Sequence, residues 1–468
     1  MVFSRLNGRW EMLCCFFIYL VVICISSSGH DLQRVGQLLV GLLCLCFLWR
    51  KRSKDDSFFR EPSCCILIIL FLAVFSAMGS RQPTWAFVEI SVVIVGIFIS
   101  LAFFKARVCE GEEFDRWFLW FLIFLCAAKG SQFFIVLVSF FGEESKHLDT
   151  DLFIEGFSNK RFYGQFQTFT LPLLALPLLL TITRRFSQIG VFSLLSLWWL
   201  IAITGGTRGT WLGMSVAACV LFIAGRSGRR WITWQIPAVA TGIALYWLLF
   251  SVLTDYLGIE VSHFAGDRLT TSLSGRGPLW QQAWEMIRER PLLGFGPMHF
   301  ADIHNSIAAH PHQAILQWAS EWGIPSTLLV MWLVGRGLWA TFRLIRERAN
   351  SNDPVDLLRV CLFASLIGAL TQSMVDGVIV MPYSQLWLSL VVGWLMGIHV
   401  WKGEPTEASA LIQRSWMGIS TGAVLLLVYI AIRDGPHLDE RNKLYQEQYG
   451  GHFQPRFWTQ GVIAIKPG

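Results

Sequence analysis

The sequence predicts an all-α polytopic membrane protein with about 12–13 transmembrane helices, and three observations predict it. Only 15% of the 468 residues are charged, against roughly 25% in soluble domains. Hydrophobic residues make up 54%, including 36 Phe and 22 Trp, and mean hydropathy is +0.51. Apolar runs long enough to cross about 30 Å of hydrocarbon as helices recur along the chain.

Thirteen candidate spans follow in order, near residues 11–27, 34–49, 63–79, 86–104, 117–141, 166–183, 187–204, 209–225, 232–253, 316–341, 356–375, 383–401 and 415–432. The first has no small-residue cleavage site after it and a second span follows at once, so it reads as a retained helix. Basic residues fall in alternate loops: Arg5 and Arg9, then Arg50, Lys51, Arg52, Lys54 and Arg60, then Lys105, Arg107 and Arg116. Arg184 and Arg185 continue the series, followed by Arg226, Arg229 and Arg230, and by Arg343, Arg346 and Arg348. All lie on one side if the N-terminus is cytoplasmic. The net charge of +6 is dispersed in this way and gives no nucleic-acid signal. The eleven cysteines lie within or near spans, Cys109 in a cytoplasmic loop, so neither a disulfide framework nor a CxxC metal site is expected.

This topology divides the chain into nine spans (1–253), a large outward loop (254–315), four further spans (316–432) and an outward C-terminal tail (433–468). A shorter outward segment covers 142–165. The tail is too short for a core of its own, and is expected to lie on the outer face.

Four outward-facing motifs invite chemistry. In "SGRGPLWQQAWEMIRERPLLGFGP", Arg276 stands between Gly275 and Gly277 and opens a stretch with Leu279, Ala283 and Ile287 at helical spacing. An arginine at a helix start adds a bidentate cation to free backbone N–H groups, which suits a phosphate. The same arginine would also suit lipid headgroups. "TGGTRGTWLG" repeats the device at Arg208, and "FSNKRFYGQFQTFT" brings Lys160 and Arg161 to the mouth of another span. Gln165, Gln167, Thr168 and Thr170 follow in a segment that should enter lipid, so they are expected to line a cavity.

The fourth motif is "HPHQAILQWASEWG". His310, Gln313, Gln317 and Glu321 recur at helical intervals as a polar stripe, with Ile315, Trp318 and Trp322 on an apolar one. His312 would lie in the first turn, where the helix N-terminus disfavours a protonated ring and leaves an imidazole able to act as a base. Two histidines without further ligands are poor grounds for a metal. No Walker loop, GxSxG elbow or HExxH pattern occurs in an outward loop.

The arginine–tryptophan helix with its "PLLGFGP" turn, followed by "HPHQAILQWASEWG", resembles the O-antigen ligase superfamily. That superfamily includes O-antigen ligases, O-antigen polymerases and O-linked oligosaccharyltransferases. Gln313 stands where the family pattern has asparagine, and keeps the amide. The resemblance implies an inverting, metal-independent glycosyltransferase without a cofactor, in the bacterial inner membrane with its active site facing the periplasm. It would transfer a glycan en bloc from undecaprenyl diphosphate to a hydroxyl of lipid A–core or of a pilin-type protein. It implies catalytic roles for His312, as base, and for Arg276 and Arg208, on the diphosphate. Lys160, Arg161, His310, Gln313 and Glu321 would bind substrate. A polymerase joining lipid-linked repeat units is the alternative reading. A lipid-linked glycan transporter comes third, because transporters commonly pair two related halves and no such symmetry is visible.

Overall fold

The computed structural model describes residues 11, 13–19, 21–22, 29–51, 62–142, 147–180, 185–262, 275–400 and 410–463. Arg5, Arg9, Arg52, Lys54, Arg60 and Arg184 of the basic loops, Cys24 and Ser274 lie outside the described residues. The first half comprises α1 (Gly29–Arg50), α2 (Pro62–Met78), α3 (Pro83–Glu110), α4 (Glu112–Gly142), strand β1 (His147–Asp149), α5 (Lys160–Leu174), α6 (Leu176–Leu179), α7 (Arg185–Thr204), α8 (Arg208–Ala224) and α9 (Arg226–Trp247). A π-helical stretch, Leu248–Val252, carries α9 into α10 (Leu253–Leu257), and β2 (Glu260–Ser262) pairs in parallel with β1. Then come α11 (Arg276–Glu289), α12 (Ala314–Trp322), α13 (Ile324–Glu347), α14 (Pro354–Gln372), α15 (Pro382–Gly397), α16 (Ala410–Asp434) and α17 (Leu438–Tyr449).

The fold is therefore all-α and multi-pass, as expected. Among the described residues eight helices are long and apolar enough to cross a membrane, and α8 is a shorter apolar helix. The helices divide by what surrounds them. In α13 only Ser326, Thr327 and Ile345 are buried, while Leu328, Met331, Trp332 and Trp339 are exposed. An apolar helix exposed along most of its length suits contact with lipid. In α5 and α6, by contrast, every residue from Phe162 to Leu179 is buried, and the helix breaks after Pro172 at Ala175.

The burial of α5 corrects one expectation. Gln165, Gln167, Thr168 and Thr170 satisfy neighbouring helices instead of lining a cavity. Ser384 of α15 donates to Gln165 at 2.6 Å, and Gln167 donates to the Trp198 carbonyl at 3.2 Å. Thr168 donates to Gln372 at 2.6 Å, and Thr170 accepts from Trp198 Nε1 at 2.9 Å. A buried polar group must find a partner, and here helix packing supplies it.

Contacts join the basic loops at one end of the bundle. Ser227 N donates to Ala349 O at 3.0 Å, and Arg230 donates to Leu179 O at 3.1 Å. Arg348 pairs with Asp356 at 3.3 Å, Arg359 pairs with Asp356 and donates to Ile398 O at 2.8 Å. Arg107 pairs with Asp115 at 2.7 Å, and Asp115 also accepts from Trp394 of α15. From Pro354, α14 runs its 19 residues, about 28 Å of helix, to Gln372 at the opposite end.

Small residues let α8 and α14 approach closely. A Cβ on Gly213 would lie 2.5 Å from the Gly368 carbonyl oxygen, so only glycine fits that crossing. Gly213→Ala is expected to destabilise the bundle by about 1–3 kcal/mol through this overlap, read as a lowered thermal midpoint in detergent.

Candidate active site

At the end opposite the basic loops, three helices begin side by side. Asn159 caps α5, its Oδ1 accepting from Arg161 N at 2.9 Å, so Lys160 and Arg161 are the first helical residues. Gly206, at φ 60°, turns the chain so that α8 starts with Arg208 behind Thr207. Gly275, at φ 75°, does the same for Arg276 at the start of α11. Gly164 holds the first two starts together. Its carbonyl accepts from Thr210 at 2.9 Å, and a Cβ on it would meet Thr207 Oγ1 at 2.3 Å.

The three starts border one cleft that opens to solvent. It is lined by Lys160, Arg161, Gly205, Gly206, Thr207, Arg208, Gly209, Arg276, Val375 and Asp376. Each helix start supplies unsatisfied N–H groups and a positive dipole end. Four cationic side chains add to that field, and Asp376 is the one acid in the lining. Lys160 is bonded to Asp151. Burial lowers the Arg276 pKa, the nearby charges of Arg161 and Arg208 lower it further, and Asp376 opposes them. Such a cavity is built for an anion with several oxygens.

His312 stands behind this lining. Its Nδ1 lies 3.8 Å from Asp376 Oδ1, and the residue is buried. Its backbone is in the left-handed region, at φ 54°, which is uncommon for a residue with a Cβ. Several contacts over-determine this loop. Trp280 of α11 donates to Pro311 O at 3.1 Å, and His312 N donates to His310 Nδ1 at 3.3 Å. The His310 and His312 rings meet edge to face at 4.2 Å, and Ala314 N donates to Ser373 O at 2.9 Å.

One sequence expectation needs correction here. His310 and His312 precede the helix, which starts at Ala314 with Gln313 as its cap, the Gln313 side chain accepting from Leu316 N. The cause of a neutral imidazole changes accordingly. Burial, not a helix N-terminus, holds the His312 pKa below the ordinary value, with Arg161 and Arg276 acting in the same direction against Asp376. His310 is lowered by burial first, then by the charges of His312, Arg456 and Arg161.

Glu321 is placed apart from the cleft. It is fully buried at the far end of α12, where its Oε2 pairs with Arg456 Nη2 at 2.6 Å and its Oε1 accepts from Phe300 N at 3.0 Å. The structure thus brings Lys160, Arg161, Arg208 and Arg276 to one cavity with His312 and His310 one layer behind. Gln313 caps α12 beside them.

Residues 191–331 match the family model described as O-antigen ligase. No curated protein matches the chain. The match runs from α7 into α13 and takes in Arg208, Arg276 and His312.

Four residues of the cleft lining, Lys160, Arg161, Val375 and Asp376, fall outside the stretch that matches O-antigen ligase. Asp376 was absent from the candidates read in the sequence. Its Oδ1 accepts from Gly377 N at 2.8 Å, and its Oδ2 from Gln372 Nε2 at 3.3 Å, Gln372 in turn accepting from Thr168. Burial raises its pKa, but His312 and the Gly377 amide outweigh burial and leave the carboxyl below its usual value. The available signal was a single acid in the short segment between two predicted spans. Nothing in the linear order ties that segment to His312.

Proposed function

We propose that this protein transfers a glycan en bloc from undecaprenyl diphosphate to a periplasmic acceptor hydroxyl. The observation that carries the reading is the convergence of three helix starts, each bearing an arginine, on one cleft backed by His312 and Asp376. A polyprenyl diphosphate needs several cations and N–H donors at once, at a membrane surface, as its charge grows during bond cleavage. Arg276, Arg208 and Arg161 meet that need. The contiguity of the basic loops at the far end supports a cleft facing the periplasm, with 254–315 and the tail from 433 on that side.

In the proposed reaction the acceptor oxygen forms a bond to the anomeric carbon while the bond to the diphosphate oxygen breaks. The hydroxyl proton passes to His312, and the diphosphate leaves on its lipid held by the arginines. Attack opposite the leaving group inverts the anomeric centre. The chain's own cations neutralise the leaving group, so no metal step is invoked. With Nδ1 directed at the Asp376 carboxylate, the proton belongs on Nδ1 and Nε2 is the basic nitrogen. Asp376 is the poorer base, since its environment favours the charged form.

Asp376→Asn tests that division of labour. It keeps the shape but removes the charge that orients His312, and is expected to lower turnover by about 10²-fold or more, with donor affinity unchanged or improved. The measurement is glycan transfer by purified protein from a polyprenyl-diphosphate donor. The acceptor follows from a deletion strain: loss of all lipopolysaccharide banding marks lipid A–core, and a pilin lighter by one glycan unit marks protein. Ladders collapsed to one repeat would mark a polymerase.

A further inference from the structure

The C-terminal segment carries a buried arginine that this reaction scheme leaves unused. Arg456 is 1% exposed, although the tail was expected to lie on the outer face. Its guanidinium pairs with Glu321 on α12 at 2.6 Å and with Glu89 on α3 at 3.2 Å. With the Gln317 amide turned so that its oxygen faces the arginine, that oxygen accepts from Nη1 at 2.8 Å. Arg456 thus grips the polar stripe of α12 at two positions four residues apart.

The same segment is tied by its backbone to the other side of the reaction centre. Arg34 on α1 donates to Arg456 O at 3.0 Å, to Phe457 O at 3.1 Å and to Val380 O at 3.2 Å. Val380 N in turn donates to Gly377 O at 3.0 Å, closing the turn that carries Asp376. One face of the segment therefore fixes the helix that follows His312, and its backbone fixes the turn that follows Asp376. A buried charge with three acceptors is a poor source of stability but an effective device for fixing register.

We propose that Arg456 is a positioning residue, locking the His312 loop and the Asp376 turn in register, with Glu321 as its buried partner and not a substrate ligand. The inference rests on His312 and the arginine cleft being the reaction centre. The donor clasp stands on other elements, α5, α8 and α11, so loosening the lock separates turnover from donor binding.

Arg456→Gln in the full-length protein tests this. The expected result, per folded molecule, is a kcat lower by about 100-fold, with the KM for the lipid-linked donor within about threefold. The acid limb of the pH–rate profile moves upward, because a looser loop hydrates His312 and relieves the burial that lowers its pKa. Arg456→Lys, which keeps the charge but reaches fewer acceptors, recovers part of the loss. Wild-type kcat and pH profile in Arg456→Gln overturn the proposal. So does a loss confined to membrane yield, with turnover per folded molecule intact. If Arg456→Gln does not insert, Glu321→Gln is read instead: a kcat lower by about tenfold with the same shift in pH limb supports the lock, and wild-type behaviour overturns it. His312→Ala in the same assay separates the two readings, since undiminished transfer there sinks the reaction centre itself.

Discussion

His312→Ala is expected to lower glycan transfer by about 10²–10⁴-fold, the range for loss of a positioned general base. Donor binding should change little, because His312 does not line the cleft that would hold the diphosphate. The comparison to make is single-turnover transfer against donor affinity on the same purified preparation. The pH profile carries the sign. Burial and the neighbouring arginines lower the His312 pKa, so the base is already deprotonated near neutrality. Activity should hold as pH falls to the ordinary imidazole value, and drop only below it. A limb at or above that value would contradict a buried neutral base, as would transfer by the alanine variant at the wild-type rate.

Arg276→Ala is expected to cost about 10²–10³-fold in kcat, comparable to loss of a preorganised donor at a developing oxyanion. Its neighbours Arg161 and Arg208 already bear on it electrostatically, so the three act on one ligand and their losses should not add. Arg208→Ala combined with Arg276→Ala is then expected to fall short of the product of the single effects. Lysine at 276 should recover little, since a point charge on a flexible stem does not reproduce a planar fork against two phosphate oxygens. Titration with a polyprenyl diphosphate lacking the glycan checks the binding component. Full additivity, or undisturbed binding in the double variant, would place the arginines in separate sites.

Much of this site was legible as local chemistry. Arg208 and Arg276 lead their helices because glycine turns precede them, and that pattern is written in a few consecutive residues. The same holds for Asn159 before Lys160 and Arg161, where an amide cap announces a helix start. The polar residues of α5 were misread, since Gln165, Gln167, Thr168 and Thr170 turn to helix partners whose positions no local pattern supplies. Glu321 was expected to bind substrate from the resemblance, but its carboxylate pairs with a tail residue 135 positions away.

The chain's hydropathy, its alternating basic loops and its capped arginines determined by themselves that this is a multi-pass helical protein with anion-seeking helix starts. Periodicity and capping are short-range properties, so they survive in one dimension. Only the tertiary structure decided that three of those starts share one cleft, that Asp376 faces His312, and that Arg456 is buried against Glu321. Those pairings join distant segments, and they arise because a buried ion or amide has to find a partner wherever packing brings one.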